Sequence, residues 1–289
     1  MKIIIFGGCG FLGKQLAFEL LRIGHKVTIF DRSKNKAKFK NIKFISGDIL
    51  NKYNVTRAVQ SHDVVFNFAA LSDIEESIQN PISAADINII GNINIALACI
   101  KYKVKKLIFA STIYVHSNQG GFYKVSKQSS ELFLEEFSKR FQLKYTTLRF
   151  GTIYGKSSSI KNGLKRVVYS ALKNKKLEYM GSNKAQRRYL HVSDAIKACI
   201  KIINKRYDNK NILITGKKII KVKTILKILS KKLNLKRKFI FKNQKGEHYD
   251  TSPYTYKKMK EEKLIFKQVT SIDKGIDELI RSMKINEKI

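Results

Sequence analysis

The chain has 289 residues, 43% of them hydrophobic, which is ample for a sizeable core, and its two prolines and lack of a low-complexity linker argue against independently tethered domains. Its formal charge is +36, from 58 basic against 22 acidic side chains, so nucleic acid and acidic lipid have to be weighed as partners. The lysines are spread over the whole length, with no zinc finger, RNA-binding aromatic motif or polybasic tail; a solvated basic surface that favours anionic ligands is expected, not a nucleic-acid binder.

Cys9, Cys99 and Cys199 lie far apart, and the five histidines show no metal-ligand spacing, so no metal is expected. No apolar run reaches the roughly 18 residues of a membrane span, and the start runs straight into a glycine loop instead of a signal peptide. The expectation is a soluble cytoplasmic protein with no membrane partner.

In chain order, Lys2 to Phe6 reads as a strand, followed by Gly7-Gly8-Cys9-Gly10-Phe11-Leu12-Gly13 and a helical pattern through Leu16, Ala17, Leu20 and Leu21. Strand, glycine turn and helix form the context in which Gly7, Gly10 and Gly13 let backbone approach a pyrophosphate at a helix N-terminus. A second strand, Val27 to Phe30, ends in Asp31, placed to accept from ribose hydroxyls and to repel a 2′-phosphate. That favours NAD over NADP; Arg32 pulls the other way, and Asp31 could instead serve as a cap or turn residue.

Further strands are predicted at 43–45, closing on Gly47-Asp48-Ile49, and at 64–67, 106–110 and 146–150, with helical segments between them. The alternation predicts a parallel, doubly wound α/β sheet, with ligands beyond the carboxyl ends of the strands, where Asp48, Ala69-Ala70 and Ser111-Thr112 fall. Beyond residue 155 the register loosens: helices are predicted at 161–172 and 193–204, strands at 176–180, 211–215 and 239–241, and lysine-rich helices to the end. The organisation expected is a Rossmann domain over 1–155, with returning segments near 176–215, and a smaller interleaved substrate domain over 156–289.

Tyr123-Lys124-Val125-Ser126-Lys127 puts a phenol and an ammonium four residues apart, on one face of a helix. A positive charge about 4 Å from the phenol, at an effective dielectric of about 20, is worth roughly 4 kcal/mol or three pKa units. That would bring the tyrosine near neutrality and make it an acid-base catalyst.

Taken together, Gly-Gly-Cys-Gly-Phe-Leu-Gly, Gly-Asp-Ile, Asn-Phe-Ala-Ala-Leu-Ser, Asn88 within Asn-Ile-Ile-Gly-Asn, Ala-Ser-Thr, Tyr-x-x-Ser-Lys, Leu-Arg-Phe-Gly-Thr-Ile-Tyr-Gly and Arg-Arg-Tyr-Leu-His-Val-Ser-Asp follow in order from residue 1 to about 200. This order resembles the extended short-chain dehydrogenase/reductase family, and within it the NAD-dependent sugar-nucleotide epimerases and dehydratases. The resemblance implies catalysis by Thr112, Tyr123 and Lys127. It implies cofactor binding by Gly7, Gly10, Phe11, Leu12, Gly13, Asp31, Arg32, Asp48, Ile49, Ala69, Ala70 and Asn88, and by Tyr123 and Lys127, the latter on the nicotinamide ribose. Sugar-nucleotide contacts would come from Ser72, Thr112, Thr152 and Arg187, with Arg188 a rival for the diphosphate.

The resemblance further implies NAD as cofactor, a homodimer joined through the Tyr123 helix and its neighbour, and a place in surface polysaccharide precursor synthesis. Members that eliminate water carry Asp-Glu after the catalytic threonine; here Ile113 and Tyr114 stand there, so a 4,6-dehydratase is not expected. The segment from Thr112 to Tyr123 is short, and Thr152 replaces an asparagine that usually touches the phosphates. Hydride transfer at a ring carbon remains, most simply C4 epimerisation. The alternatives are a C4 dehydrogenase, a 4-ketoreductase, and a non-catalytic NAD- or RNA-binding protein. Gly246 to Asp250 with Ser252-Pro253-Tyr254 could form a loop at the substrate mouth, and His191 reads as a structural hydrogen bonder.

Overall fold

A computed structural model of the chain describes residues 1–33, 40–242, 248, 250, 262–263 and 270–286. The β-branched runs become strands and the segments between them helices: β1 (Lys2–Phe6), α1 (Phe11–Arg22), β2 (Lys26–Asp31), β3 (Lys43–Ser46), α2 (Lys52–Val59), β4 (Val64–Asn67), α3 (Ile74–Gln79), α4 (Pro81–Ala85), a π-helical turn (Asp86–Ile90), α5 (Gly91–Lys101), β5 (Lys106–Thr112), a 3-10 turn (Ile113–His116), α6 (Gly121–Phe141) and β6 (Tyr145–Phe150). There follow β7 (Thr152–Tyr154), α7 (Gly163–Lys173), β8 (Leu177–Met180), β9 (Gln186–Arg187), β10 (Tyr189–His191), α8 (Val192–Ile202), β11 (Lys210–Ile214), β12 (Ile220–Lys221), α9 (Val222–Lys232), β13 (Phe239–Lys242), β14 (Glu262–Lys263) and α10 (Ile272–Asn286). Asparagine and aspartate set several helix starts: Asn51, Asp73 and Asn162 accept from the amides of Asn54, Glu76 and Lys165.

Among the described residues the main sheet has eight strands, in the order β14-β11-β6-β5-β4-β1-β2-β3. The pairs β1·β2, β2·β3, β1·β4, β4·β5, β5·β6 and β11·β14 are all parallel. This is the doubly wound α/β fold expected from the alternation. Strand order reverses between β1 and β4, and that reversal opens the crevice beyond the carboxyl ends where such sheets bind ligands.

Two compact units can be distinguished. The first comprises Met1–Phe150, Ile196–Leu213 and Met259–Lys263; the second comprises Gly151–Ala195, Ile214–Lys258 and Leu264–Ile289. Ile4, Phe6, Phe30, Val65, Ile95, Leu107, Phe109 and Leu134 are buried together in the first, with the Phe6 and Phe30 rings 4.8 Å apart. In the second, α7, α9 and α10 turn Leu164, Val168, Leu226, Leu229 and Leu279 onto Tyr154 and Tyr189.

One feature was hidden in the composition. Pro81–Lys101 forms a 21-residue helical stretch containing an 18-residue window of mean hydropathy 1.4, long and apolar enough by those measures to cross a membrane. Asp86 and three asparagines interrupt it, so no uninterrupted apolar run marks it in the sequence. Asn88, Asn92 and Asn94 are buried along it, each hydrogen-bonded to other parts of the first unit, as in a core helix.

Candidate active site

The glycine turn is shaped by close backbone approach. Gly7 has φ +75°, and a Cβ there would stand 2.6 Å from the Ala69 amide nitrogen; one on Gly13 would stand 2.4 Å from the Gly7 carbonyl oxygen. Gly10 is packed less tightly, its nearest neighbour being the Gly7 oxygen at 3.2 Å from such a Cβ. The first-turn amides of α1, which Phe11 and Leu12 open, have no intrahelical acceptor and form the positive end of the helix dipole. A cradle any side chain would fill, lying at a helix N-terminus, fits the pyrophosphate of a dinucleotide.

Asp31 has two roles on offer, and the structure shows one of them directly. Its carboxylate accepts from the amides of Cys9 and Ser33, both at 2.9 Å, and so ties the glycine turn to the end of β2. A carboxylate retains lone pairs beyond these for a ribose hydroxyl. Arg32 is exposed beside it. Asp48 accepts from the Leu50 amide at 2.9 Å, whereas the Ile49 side chain packs into the core and its carbonyl accepts from Asn94 Nδ2 at 3.0 Å. Ile49 can therefore offer a ligand little beyond backbone. Ala69 borders the glycine turn, while Ala70 and the exposed Ser72 follow in the loop after β4.

Asn88 holds that loop. Its Oδ1 accepts from the Leu71 amide at 2.9 Å, and its Nδ2 donates to the Leu71 carbonyl at 3.0 Å and to Ser126 Oγ at 2.9 Å. It sits in the π-helical turn, where one residue beyond the α-helical spacing leaves a carbonyl open; Ser130 Oγ donates to the Asn88 oxygen at 2.6 Å. Asn88 thus joins the loop after β4 to α6 between Tyr123 and the helix middle.

Thr112 ends β5 and Tyr123 and Lys127 lie a turn apart in α6. Thr112 Oγ1 accepts from the Tyr114 amide at 3.3 Å, and its hydroxyl acts on the Tyr123 phenol in the direction that favours ionisation. With an acceptor site of the hydroxyl engaged by the amide, its proton can point to the Tyr123 oxygen, a bond that favours phenolate. The Tyr114 ring meets the Tyr123 ring edge-on, centroids 6.4 Å apart.

Here one expectation is corrected. Burial pushes the Tyr123 phenol up to about 12, only partly offset by the Thr112 hydroxyl, and Lys127 is not among the groups that act on it. Lys127 Nζ instead donates to the Ala110 carbonyl at 2.8 Å and lies 4.6 Å from the Phe109 ring centroid. Burial draws Lys127 itself down to about 7, with the Glu131 carboxylate opposing. Sequence spacing supplied the neighbour but not its desolvation, and desolvation drives both groups toward their neutral forms.

The remaining sugar-nucleotide residues lie in the second unit. Thr152 pairs with Tyr189 across β7 and β10. Arg187 is buried and donates to the Gln186 carbonyl at 2.9 Å and to Tyr179 Oη at 3.4 Å; Arg188 donates to the Lys217 carbonyl at 2.7 Å. His191 bonds Ser193 Oγ at 2.8 Å, and its Nε2 lies 3.0 Å from the Glu278 carboxylate on α10. Of the suggested mouth loop, the Asp250 carbonyl accepts from the Gln186 amide at 3.0 Å; Gly246, Glu247, Tyr249, Ser252, Pro253 and Tyr254 lie outside the described residues. Among the described residues no three His, Cys, Asp or Glu side chains group as a metal site.

Sequence reasoning passed over one polar cluster, His116, Glu131 and Arg149. Glu131 could have been found, because it lies at the next i+4 step after Tyr123 and Lys127. Arg149 and His116 come from other elements, and no spacing announces them.

The strand order and glycine cradle define a dinucleotide-binding protein of the doubly wound α/β class. Residues 3–215 match the model of the NAD dependent epimerase/dehydratase family, and the chain belongs to that family. A UDP-N-acetyl-alpha-D-glucosaminuronate decarboxylase of Bacillus cytotoxicus is 31% identical over 237 residues, covering 72% of this chain and 73% of the relative. A putative UDP-glucose 4-epimerase of Methanocaldococcus jannaschii is 26% identical, covering 99% of both chains. The fold is shared with the UDP-glucuronic acid 4-epimerase of Bacillus cereus, solved with UDP-glucuronic acid and NAD: TM-score 0.84, 21% identity, 99% of each chain covered.

Proposed function

We propose that the protein is an NAD-dependent nucleotide-sugar 4-epimerase, with Thr112, Tyr123 and Lys127 as its catalytic residues and a product of the kind that feeds surface polysaccharide synthesis. The observation that carries this reading is Thr112 at the end of β5 together with Tyr123 and buried Lys127 a turn apart on α6, followed by Ile113 and Tyr114 where an elimination would need carboxylates. Tyr123 takes the proton from a ring hydroxyl and returns it; Thr112 orients that hydroxyl and stabilises the phenolate. Lys127, buried a turn along α6 from Tyr123, would hold the ribose of the nicotinamide beside the phenol. NAD, held by Gly7, Gly10, Gly13 and Asp31, supplies the hydride acceptor. Arg187 or Arg188 meets the diphosphate, as a fork of N–H donors suits phosphate oxygens.

The test is a panel of UDP-, GDP-, CDP- and dTDP-sugars, hexuronic acids included, followed by proton NMR and reduced-nicotinamide absorbance. Epimerisation gives a new sugar with no net cofactor reduction, and Tyr123→Phe lowers its rate by about 10²–10⁴-fold. Full turnover by that variant would refute the mechanism. A second reading is favoured by the decarboxylase relative: a 4-keto hexuronic acid is a β-keto acid and loses carbon dioxide readily, so gas release from a UDP-hexuronic acid would mark it.

We infer that a second copy covers one face of the first unit. Phe122, Val125, Leu132 and Phe133 of α6 and Ile90 and Leu97 around α5 are large, apolar and exposed. Leu132, 65% exposed, is the sensitive position. Sedimentation of Leu132→Asp should show a monomer under conditions where the unaltered chain is a dimer.

A further inference from the structure

Glu131, Arg149 and His116 form a cluster that the proposed chemistry does not use, and three elements converge in it. Glu131 lies on α6, Arg149 on β6 and His116 at the end of the 3-10 turn that follows Thr112. Arg149 donates to both Glu131 oxygens, from Nε at 3.1 and 3.2 Å and from a terminal nitrogen at 2.5 Å. Both side chains of the pair are nearly buried, at 12% and 9% exposure. The other terminal nitrogen of Arg149 lies 3.0 Å from His116 Nε2. A guanidinium can only donate, so His116 accepts there and is the neutral tautomer with its proton on Nδ1.

The register makes this cluster a mechanical link. Arg149 pairs with Ser111 across β5 and β6, one residue before Thr112, and His116 is four residues beyond Thr112. Tyr123, Lys127 and Glu131 fall at successive i+4 steps, so Glu131 sits about 12 Å along the helix from Tyr123 on the same stripe. Gln128 Nε2 adds a bond to the Val115 carbonyl at 2.8 Å, from α6 to the same turn.

We propose that His116 is a positioning residue: through Arg149 and Glu131 it locks the turn after Thr112 to α6, and so sets the separation of Thr112 and Tyr123. The inference rests on the reading of Thr112 and Tyr123 as the reacting pair. The neutral state it requires agrees with burial and the adjacent Arg149 charge, which push His116 down to about 4 while Glu131 opposes. Phenylalanine keeps the ring but cannot accept; glutamine returns an acceptor near the Nε2 position.

The decisive comparison is His116→Phe against His116→Gln, both of which leave the Arg149–Glu131 pair able to form. Expected for His116→Phe is a fall of tenfold or more in kcat, with KM for the nucleotide sugar within twofold of the unaltered protein, and recovery of most of kcat in His116→Gln. Equal behaviour of the two variants, unchanged kcat in both, or a loss confined to KM would overturn the proposal. Hydrogen exchange separates its failure from failure of the catalytic reading, since it needs no turnover. Amides of residues 113–117 should exchange at least tenfold faster in His116→Phe and near the original rate in His116→Gln. Unchanged protection in His116→Phe would overturn the link even if no sugar on the panel reacts.

Discussion

The two ends of β5 each meet a buried lysine, and they treat it differently. At the amino end Lys106, 2% exposed, is saturated: its Nζ donates to the Ile202 and Asn204 carbonyls at 3.0 and 2.8 Å and pairs with Asp208 at 2.5 Å. It closes the C-terminal end of α8, where exposed carbonyls and the helix dipole favour a cation. At the carboxyl end Lys127, equally buried, donates to the Ala110 carbonyl and faces the Phe109 ring, while Glu131, the carboxylate that favours its charge, is already gripped by Arg149. A buried charge whose partners complete its shell acts as scaffold. One held short of completion changes protonation near neutral pH and is suited to chemistry.

The largest effect expected from breaking this comparison is on turnover. Lys127→Met should lower kcat on the panel substrate by about 10²–10⁴-fold with the fold intact, whereas Lys106→Met should leave kcat per folded molecule unchanged. Steady-state kinetics corrected for folded fraction decide it, and comparable kcat losses in both would erase the distinction.

Next in size is stability. Lys106→Met strands Asp208 and two carbonyls and should cost about 3–5 kcal/mol in urea denaturation. Burial lowers the Lys106 pKa while Asp208 opposes the shift, so the ammonium and its partners stand or fall together.

The smallest effect is a pH dependence of opposite character at Lys127. Its folded value of about 7 lies below the ordinary 10.5, so the unfolded chain binds more protons between those values and stability rises with pH across that window. The penalty for burying the charge is complete below pH 7 and gone above 10.5. Lys127→Met should therefore exceed the unaltered protein in stability at pH 6 by on the order of a few kcal/mol, with the gap narrowing at pH 9. Paired urea melts at the two pH values, without added cofactor, measure it.

By itself the sequence determined the doubly wound sheet, because strand-forming runs alternate with helical segments at spacings that allow parallel crossovers. It also disclosed the glycine cradle and the order of Thr112, Tyr123 and Lys127, since these depend on local geometry: a tight turn, a strand end and an i+4 step. Only the tertiary structure decided the surroundings in which Tyr123 and Lys127 ionise. Desolvation depends on what the whole fold packs around Tyr123 and Lys127, and it overrode the charge effect that spacing alone suggested. The same holds for Asp31, whose carboxylate is half engaged by Cys9 and Ser33, and for Ile49, whose side chain turned into the core. It holds most clearly for Glu131, Arg149 and His116: three residues far apart in the chain become one device only where a helix, a strand and a turn converge.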